Sequence, residues 1–151
     1  MKTKTVAVSG GFDPIHPGHV RMILNAASYG DVVVILNSDE WLKNKKGYVF
    51  MSWEERAEII RAINGVVNVV NTVDDFDGSV CNTLRNLKKD VDLDYFANGG
   101  DRILTNTPEM QVCKELGIGM LWNVGGGKIQ SSSNLVESAK MAKRRVNGIE
   151  F

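Results

Sequence analysis

Ser9-Gly10-Gly11-Phe12-Asp13-Pro14-Ile15-His16-Pro17-Gly18-His19 joins a short β-branched run, Thr5-Val6-Ala7-Val8, to a segment where Val20, Ile23, Leu24 and Ala27 recur at helical spacing. The reading is strand, glycine turn, helix. A helix that begins this way turns its free N–H groups and the positive end of its dipole toward whatever lies above the strand, and that geometry attracts phosphate. Pro17 gives up an N–H that has no intrahelical partner at the first helical position, and Gly18 lets a ligand approach the backbone where a Cβ would intrude. Both histidines of the chain, His16 and His19, flank this anion site. A His-x-x-His metal pair is the rival reading. Zinc sites need three or four convergent ligands, however, and beyond these two histidines the chain offers only Cys81 and Cys113, far apart in sequence.

Strand and helix alternate along the rest of the chain. Tyr29-Gly30-Asp31 marks a stop and turn, after which Val32-Val33-Val34-Ile35-Leu36 is a continuous apolar run of strand length. Runs of that kind are buried on both faces and belong to parallel sheets. A helix opens near Ser52, a strand follows over 66–70, a helix from about Ser79 to Lys89, and a strand over 95–97. A helix from Pro108 to Leu116, a strand over 120–124 and a helix from about Ser132 to Arg145 complete the pattern. The expected architecture is an α/β, doubly wound parallel sheet of five strands, with ligands at the carboxyl ends of the strands.

At 151 residues and 43% hydrophobic content, the chain is expected to form a single domain, 1–151, with a sizeable core. Eighteen basic and eighteen acidic residues cancel, so no global field draws nucleic acid or a membrane surface, and any anion binding is local. Two cysteines without Cys-x-x-Cys spacing read as ordinary buried thiols in a reducing compartment. With no apolar leader and no run of membrane-spanning length, the expected location is cytoplasmic.

Further motifs fall at strand ends. In Asn37-Ser38-Asp39-Glu40, Asp39 either binds substrate hydroxyls, as a carboxylate after a strand binds ribose in dinucleotide folds, or belongs with Ser38 to a helix cap. Lys43-Asn44-Lys45-Lys46-Gly47 reads as a mobile basic connection, either a solvated face or a rim from which an ammonium reaches phosphates. Ser52-Trp53-Glu54-Glu55 is a capping box, and Ala57, Ile59, Ile60 and Ile63 are expected to face the sheet. Arg56 in the first turn opposes the helix dipole and needs another reason to be there. Asn98-Gly99-Gly100-Asp101-Arg102 pairs glycines with a carboxylate, which lets backbone groups approach a flat base edge, though a plain turn uses the same residues. Gly125-Gly126-Gly127-Lys128-Ile129-Gln130-Ser131-Ser132-Ser133-Asn134 is a second anion site rather than a Walker A loop, because Ile129 stands where Ser or Thr must follow the lysine. Its serines either cradle β and γ phosphates or divide between a helix cap and solvent.

Gly-Gly-Phe-Asp-Pro-Ile-His-Pro-Gly-His, residues 10–19, resembles the signature of the HxGH nucleotidyltransferases, the cytidylyltransferase-like family, and the resemblance runs from about Val6 to Leu135. It implies a Rossmann-like nucleotidyltransferase fold. It implies that His16 and His19 steady the α-phosphate of a triphosphate, and that Lys46, with Lys45 in reserve, contacts phosphates of both reactants. By the same likeness Gly10, Gly11, Phe12, Gly18, Gly99, Gly100, Asp101, Ser131, Ser132 and Ser133 hold the nucleotide. Asp13, Asp39 and Arg56 hold the acceptor, Arg56 by its phosphate. The implied reaction moves a nucleoside monophosphate from CTP or ATP to a small phosphorylated sugar or polyol and releases pyrophosphate. Magnesium is carried in with the triphosphate, and no metal site belongs to the chain itself. Gly-Gly-Asp leans to ATP and the cytidylyltransferase likeness to CTP. Glycerol-phosphate cytidylyltransferases carry an arginine a few residues before the serine run, where this chain has Asn123, Val124 and glycines. The resemblance also implies a homodimer, with Trp41, Tyr48, Phe50 and Trp53 as interface aromatics, although lining the acceptor pocket or the core suits them equally. A catalytically silent nucleotide-binding module is the alternative function. A dehydrogenase is not, because Gly-x-Gly-x-x-Gly is missing after the first strand.

Overall fold

The apolar runs pair into one five-stranded sheet. In the computed structural model, which describes residues 3–72, 79–99, 108–125 and 135–141, the strands are β1 (Thr5–Gly10), β2 (Asp31–Leu36), β3 (Val66–Asn71), β4 (Tyr95–Gly99) and β5 (Gly119–Val124). They lie in the order β3-β2-β1-β4-β5, every neighbouring pair parallel. The helices are α1 (Pro17–Ala27), α2 (Asp39–Lys46), α3 (Trp53–Arg61), α4 (Cys81–Asp90) and α5 (Pro108–Leu116), and residues 135–141 are also helical.

Strand alternation divides the core in two. Val6, Val8, Val32, Val34 and Leu36 point to one face, where Ile23 and Ala26 of α1 and Ala57 and Ile60 of α3 meet them. Ala7, Val33, Ile35 and Phe96 point to the other, against Leu84 and Leu87 of α4 and Val112 and Cys113 of α5. After β1 the chain winds toward β2 and β3, then crosses to β4 and β5. The carboxyl ends of β1 and β4 therefore flank the point where the winding reverses, the place where such sheets bind ligands.

Two expectations change. Lys43 to Lys46 are not a loose connection but the last turn of α2, capped by Ser38, whose hydroxyl accepts the Trp41 N–H at 3.0 Å, and closed by Gly47 in the left-handed conformation at φ 83°. Lysines at a helix C-terminus are favoured by its dipole, so the charge run suits a helix end. Ile59 is exposed while Ala57 and Ile60 are buried, because α3 presents only a narrow stripe to the sheet, and Leu24 of α1 is exposed for the same reason. Val67 is 59% exposed because β3 is the edge strand.

Candidate active site

The turn after β1 is held in a strained shape by its own side chains. Phe12 has φ +50°, a conformation bulky residues rarely adopt, and its ring is buried. The ring lies so close to Gly10 that an added Cβ would come within 3.2 Å of it, and a Cβ on Gly11 would come within 2.9 Å of Leu42. A Cβ at either position would press on a neighbouring side chain, which would have to give way. The Phe12 ring also meets His19 edge-on, with centroids 4.8 Å apart.

The two histidines form the N-terminal cap of α1. His16 is the N-cap, and its Nδ1 accepts the Gly18 N–H at 3.1 Å. The Nδ1 of His19 reaches back to accept the His16 N–H at 3.2 Å, so the pair makes a reciprocal capping box out of imidazoles. A ring nitrogen that accepts carries no hydrogen, so each neutral ring bears its hydrogen on Nε2. The rings stack with centroids 3.8 Å apart and planes 24° apart, which brings two N–H donors of the same kind side by side at a helix N-terminus.

Around this turn the acidic and basic residues interlock. Asp13 is fully buried, and its two oxygens accept the N–H groups of Phe50 and Met51, each at 2.6 Å. Arg56 is also fully buried. Its Nε donates to Met51 O at 2.9 Å, Nη1 to Gly11 O at 2.7 Å and Asn37 O at 2.9 Å, and Nη2 to Asp39 Oδ1 at 2.6 Å. One guanidinium thereby ties together the ends of β1 and β2, the start of α2 and the segment before α3. Burial among these partners is the other reason its place in the first turn required. Lys46 extends from the last turn of α2 to the same place, its Nζ 3.5 Å from the Asp13 carbonyl oxygen, whereas Lys45 lies over the Trp41 ring at 4.7 Å. Partial burial lowers the Lys46 pKa from the usual 10.5. Asp13 opposes that shift, while Lys45 and Arg56 add to it.

The structure therefore brings together His16, His19, Lys46, Asp13, Arg56, Asp39, Gly10, Gly11, Phe12 and Gly18 at the carboxyl edge of β1 and β2. Gly99 ends β4 on the far side of β1. Gly100, Asp101, Ser131, Ser132 and Ser133 lie outside the described residues. Of the aromatics, Trp53 is committed to the core face, its Nε1–H donating to Leu36 O at 3.1 Å. Tyr48 lies under Lys140, with the ammonium 5.6 Å from the ring centroid, and Phe50 is exposed. Sequence reasoning did not single out Asn37 and Asn98, although a buried amide at the end of an otherwise apolar strand was the available signal. Among the described residues, no three His, Cys, Asp or Glu side chains are grouped so as to hold a metal ion.

A family model for cytidylyltransferase-like proteins matches residues 7–118, which span β1 to α5 and the whole turn just described. The chain belongs to the cytidylyltransferase-like family. Relatives include the bifunctional protein HldE of Geobacter sulfurreducens, 31% identical over 137 residues, which is 89% of this chain and 26% of that protein. The FAD synthase of Pyrococcus horikoshii is 43% identical over 67 residues, 43% of this chain and 45% of that protein. The chain thus spans about a quarter to under half the length of these relatives. A lipopolysaccharide core biosynthesis protein from Thermoplasma volcanium shares the fold at a TM-score of 0.62 and 21% identity, over 80% of this chain and 94% of that one. In this cytidylyltransferase-like chain, as in any open α/β sheet, the ligand crevice is expected beyond the carboxyl ends of the strands, where the stacked imidazoles lie.

Proposed function

We propose that this protein is a nucleotidyltransferase that joins a nucleoside monophosphate, from CTP or ATP, to a small phosphorylated sugar or polyol. The observation that carries the reading is the imidazole capping box. It fixes two Nε2–H donors at a helix N-terminus beside the Lys46 ammonium, an arrangement suited to a phosphorus centre gaining negative charge. A phosphate oxygen of the acceptor attacks the α-phosphorus in line and forms a new P–O bond. The bond from α-phosphorus to the bridging oxygen breaks, and its electron pair leaves with pyrophosphate. No covalent enzyme intermediate is required, so the chain contributes positioning and charge stabilisation. His16 and His19 donate to α-phosphate oxygens, and Lys46 neutralises phosphate charge. Gly10, Gly11, Phe12 and Gly18 shape the nucleotide side of the turn, with Gly99, Gly100, Asp101, Ser131, Ser132 and Ser133 completing that side. Asp39, Arg56 and Asp13 build the acceptor side. Magnesium arrives as part of the triphosphate substrate and offsets its β and γ charges.

Family membership supports this reading, as do relatives named HldE and FAD synthase. The exposed Phe50 at the rim is in keeping with a homodimer or with an acceptor that covers it. The test is pyrophosphate release from CTP, ATP, GTP and UTP against sugar, polyol, choline and ethanolamine phosphates and FMN. The reading expects turnover for one pair from CTP or ATP and a sugar or polyol phosphate. Binding of triphosphate with no release for any pair would mark a silent nucleotide-binding module instead.

A further inference from the structure

Among the described residues, two amides at the carboxyl edge of the sheet each keep one polar atom unmet. Asn37 Oδ1 and Asn98 Nδ2 are sealed from solvent without a hydrogen-bond partner, and the residues are 4% and 6% exposed. A fold pays in stability for each such group, and one retained in a native structure calls for a reason.

Their placement supplies one. Val8 of β1 pairs with Ala97 of β4, so the next residues along, Ser9 and Asn98, fall side by side. On the other flank Ser9 pairs with Ile35, and the Asn37 N–H continues the ladder by donating to Gly10 O at 2.9 Å. Ile35 and Phe96 both belong to the core on the α4 and α5 face, and alternation puts Asn37 and Asn98, two residues further along, on that same face. The amides therefore flank β1, Asn98 level with Ser9 and Asn37 level with Gly11, so that two strand spacings and a two-residue stagger set them about 12 Å apart at the backbone. The ladder also slips at Asn98, since Ala97 faces Leu121 but Gly99 faces Val124. The extra residue belongs to β5, so the alternation of β4 that places Asn98 is kept.

We infer that Asn37 and Asn98 read the hydroxyl groups of the acceptor, Asn37 from beside Asp39 and Asn98 from across β1 beside Gly99, where the acceptor meets the nucleotide, and so are specificity-determining residues for a polyhydroxylated substrate. The inference rests on the acceptor binding at this edge, as proposed above. Of the two unmet atoms, Oδ1 needs a donor and Nδ2 an acceptor. A bare phosphate supplies only acceptors and a quaternary amine supplies neither. A hydroxyl supplies both, and it serves either end of an amide after a half turn about χ2. Two hydroxyls on one carbon skeleton suit two amides separated by a single strand. Arg56 strengthens the placement, because its Nη1 holds the Asn37 carbonyl and so fixes the backbone from which that amide projects.

The experiment uses Asn37→Leu and Asn98→Leu, which keep the side-chain shape and remove the polar atoms. The probes are glycerol 3-phosphate, ribitol 5-phosphate and the hexose 1-phosphates, each beside a monodeoxy analogue. Thermal shift reads binding to the free protein, and pyrophosphate release reads turnover. On the wild-type protein at least one hydroxylated probe raises Tm, and its deoxy analogue raises it less. Each leucine variant still unfolds cooperatively, keeps the KM for triphosphate within about twofold, and weakens the hydroxylated acceptor by roughly tenfold or more. The variants no longer distinguish that acceptor from its deoxy analogue. The inference is overturned if no hydroxylated probe shifts the wild-type Tm, if only a choline or ethanolamine phosphate binds, or if the variants keep the same preference for hydroxyls. A rise confined to the triphosphate KM also overturns it, since the amides would then read the nucleobase. If hydroxylated probes bind but no pair releases pyrophosphate, the transferase reading fails while this inference stands.

Discussion

His16 and His19 hold each other in place: the His19 Nδ1 accepts the His16 N–H at 3.2 Å while the two rings stack 3.8 Å apart. Each imidazole does two things, capping the helix through Nδ1 and offering a donor through Nε2. The two can be separated. His16→Ala removes both and is expected to cost about 1 kcal/mol of stability from the lost cap, together with about 2–4 kcal/mol of transition-state stabilisation. Asparagine is a good N-cap whose side-chain oxygen replaces Nδ1, but it has no atom where Nε2 was. His16→Asn should therefore recover the melting temperature and leave kcat/KM as low as in the alanine variant. Turnover within about threefold of wild type in either variant would remove His16 from the chemistry.

Arg56 gives the opposite pattern, a charged residue whose partners all lie in the chain. Because its guanidinium is fully buried and bonds three carbonyls and Asp39, Arg56→Ala is expected to destabilise by about 3–5 kcal/mol, which urea denaturation will read. Lysine cannot reproduce the planar fork, so Arg56→Lys should recover only part of this. Asp39→Asn keeps the acceptor oxygen on a side chain that is 39% exposed, and its loss should stay below about 1 kcal/mol. If Arg56→Lys instead folds as stably as wild type and loses only acceptor affinity, the arginine serves the substrate more than the fold.

How much of this was legible in sequence follows from which signals were local. The strands were readable because a run such as Val32 to Leu36 has no plausible solvent-facing form, and the parallel order followed from strand and helix in alternation. The start of α1 was readable from Pro17 and the glycines, but not that the histidines would be its capping box, which depends on ring geometry. Helix α2 was legible only at its start, where Ser38 reads as a cap, because three lysines in eight residues resemble a loop although Gly47 marked the other end. Arg56 carried an unread signal. Trp53, Ala57 and Ile60 define the inward stripe of α3, and Arg56 falls within it while Ile59 falls outside. A charge in an apolar register indicates a buried hub as much as a ligand contact. Its four acceptors come from residues 11, 37, 39 and 51, a convergence that no local pattern contains.

Asp13 controls the segment between α2 and α3 from beneath. Its two oxygens each take one backbone N–H, so Asp13→Asn replaces one acceptor with an amide donor facing another donor. The expected cost is about 1–3 kcal/mol, concentrated in this segment because Arg56 still holds the Met51 carbonyl. Amide hydrogen exchange should accelerate at Phe50 and Met51 and stay unchanged in β2. Uniform acceleration across the sheet would show that the carboxylate supports the whole fold instead of this one segment.

Lys46 supplies a pH dependence whose sign is fixed by its burial. Desolvation disfavours the ammonium and lowers its pKa from 10.5, with Asp13 pulling the other way and Lys45 and Arg56 adding to the drop. In the free enzyme Lys46 therefore loses its charge at a lower pH than an exposed lysine, and kcat/KM should begin to fall on an alkaline limb below 10.5. Bound phosphates favour the ammonium, so the limb on kcat, which reports the substrate complex, should lie higher than that on kcat/KM. Lys46→Arg keeps the charge at every accessible pH and should remove the limb even where it lowers the rate. The effect on stability runs in the other direction. Unfolding returns Lys46 to its ordinary pKa, so between the lowered value and 10.5 the unfolded chain binds more protons, and Lys46 makes the fold more stable as pH rises through that window. A Lys46→Met variant, which has no such window, should lack that rise, and activity should fall with pH where the wild-type protein is gaining this increment of stability. An alkaline loss of rate that tracked unfolding, or that survived in Lys46→Arg, would assign the limb to another group.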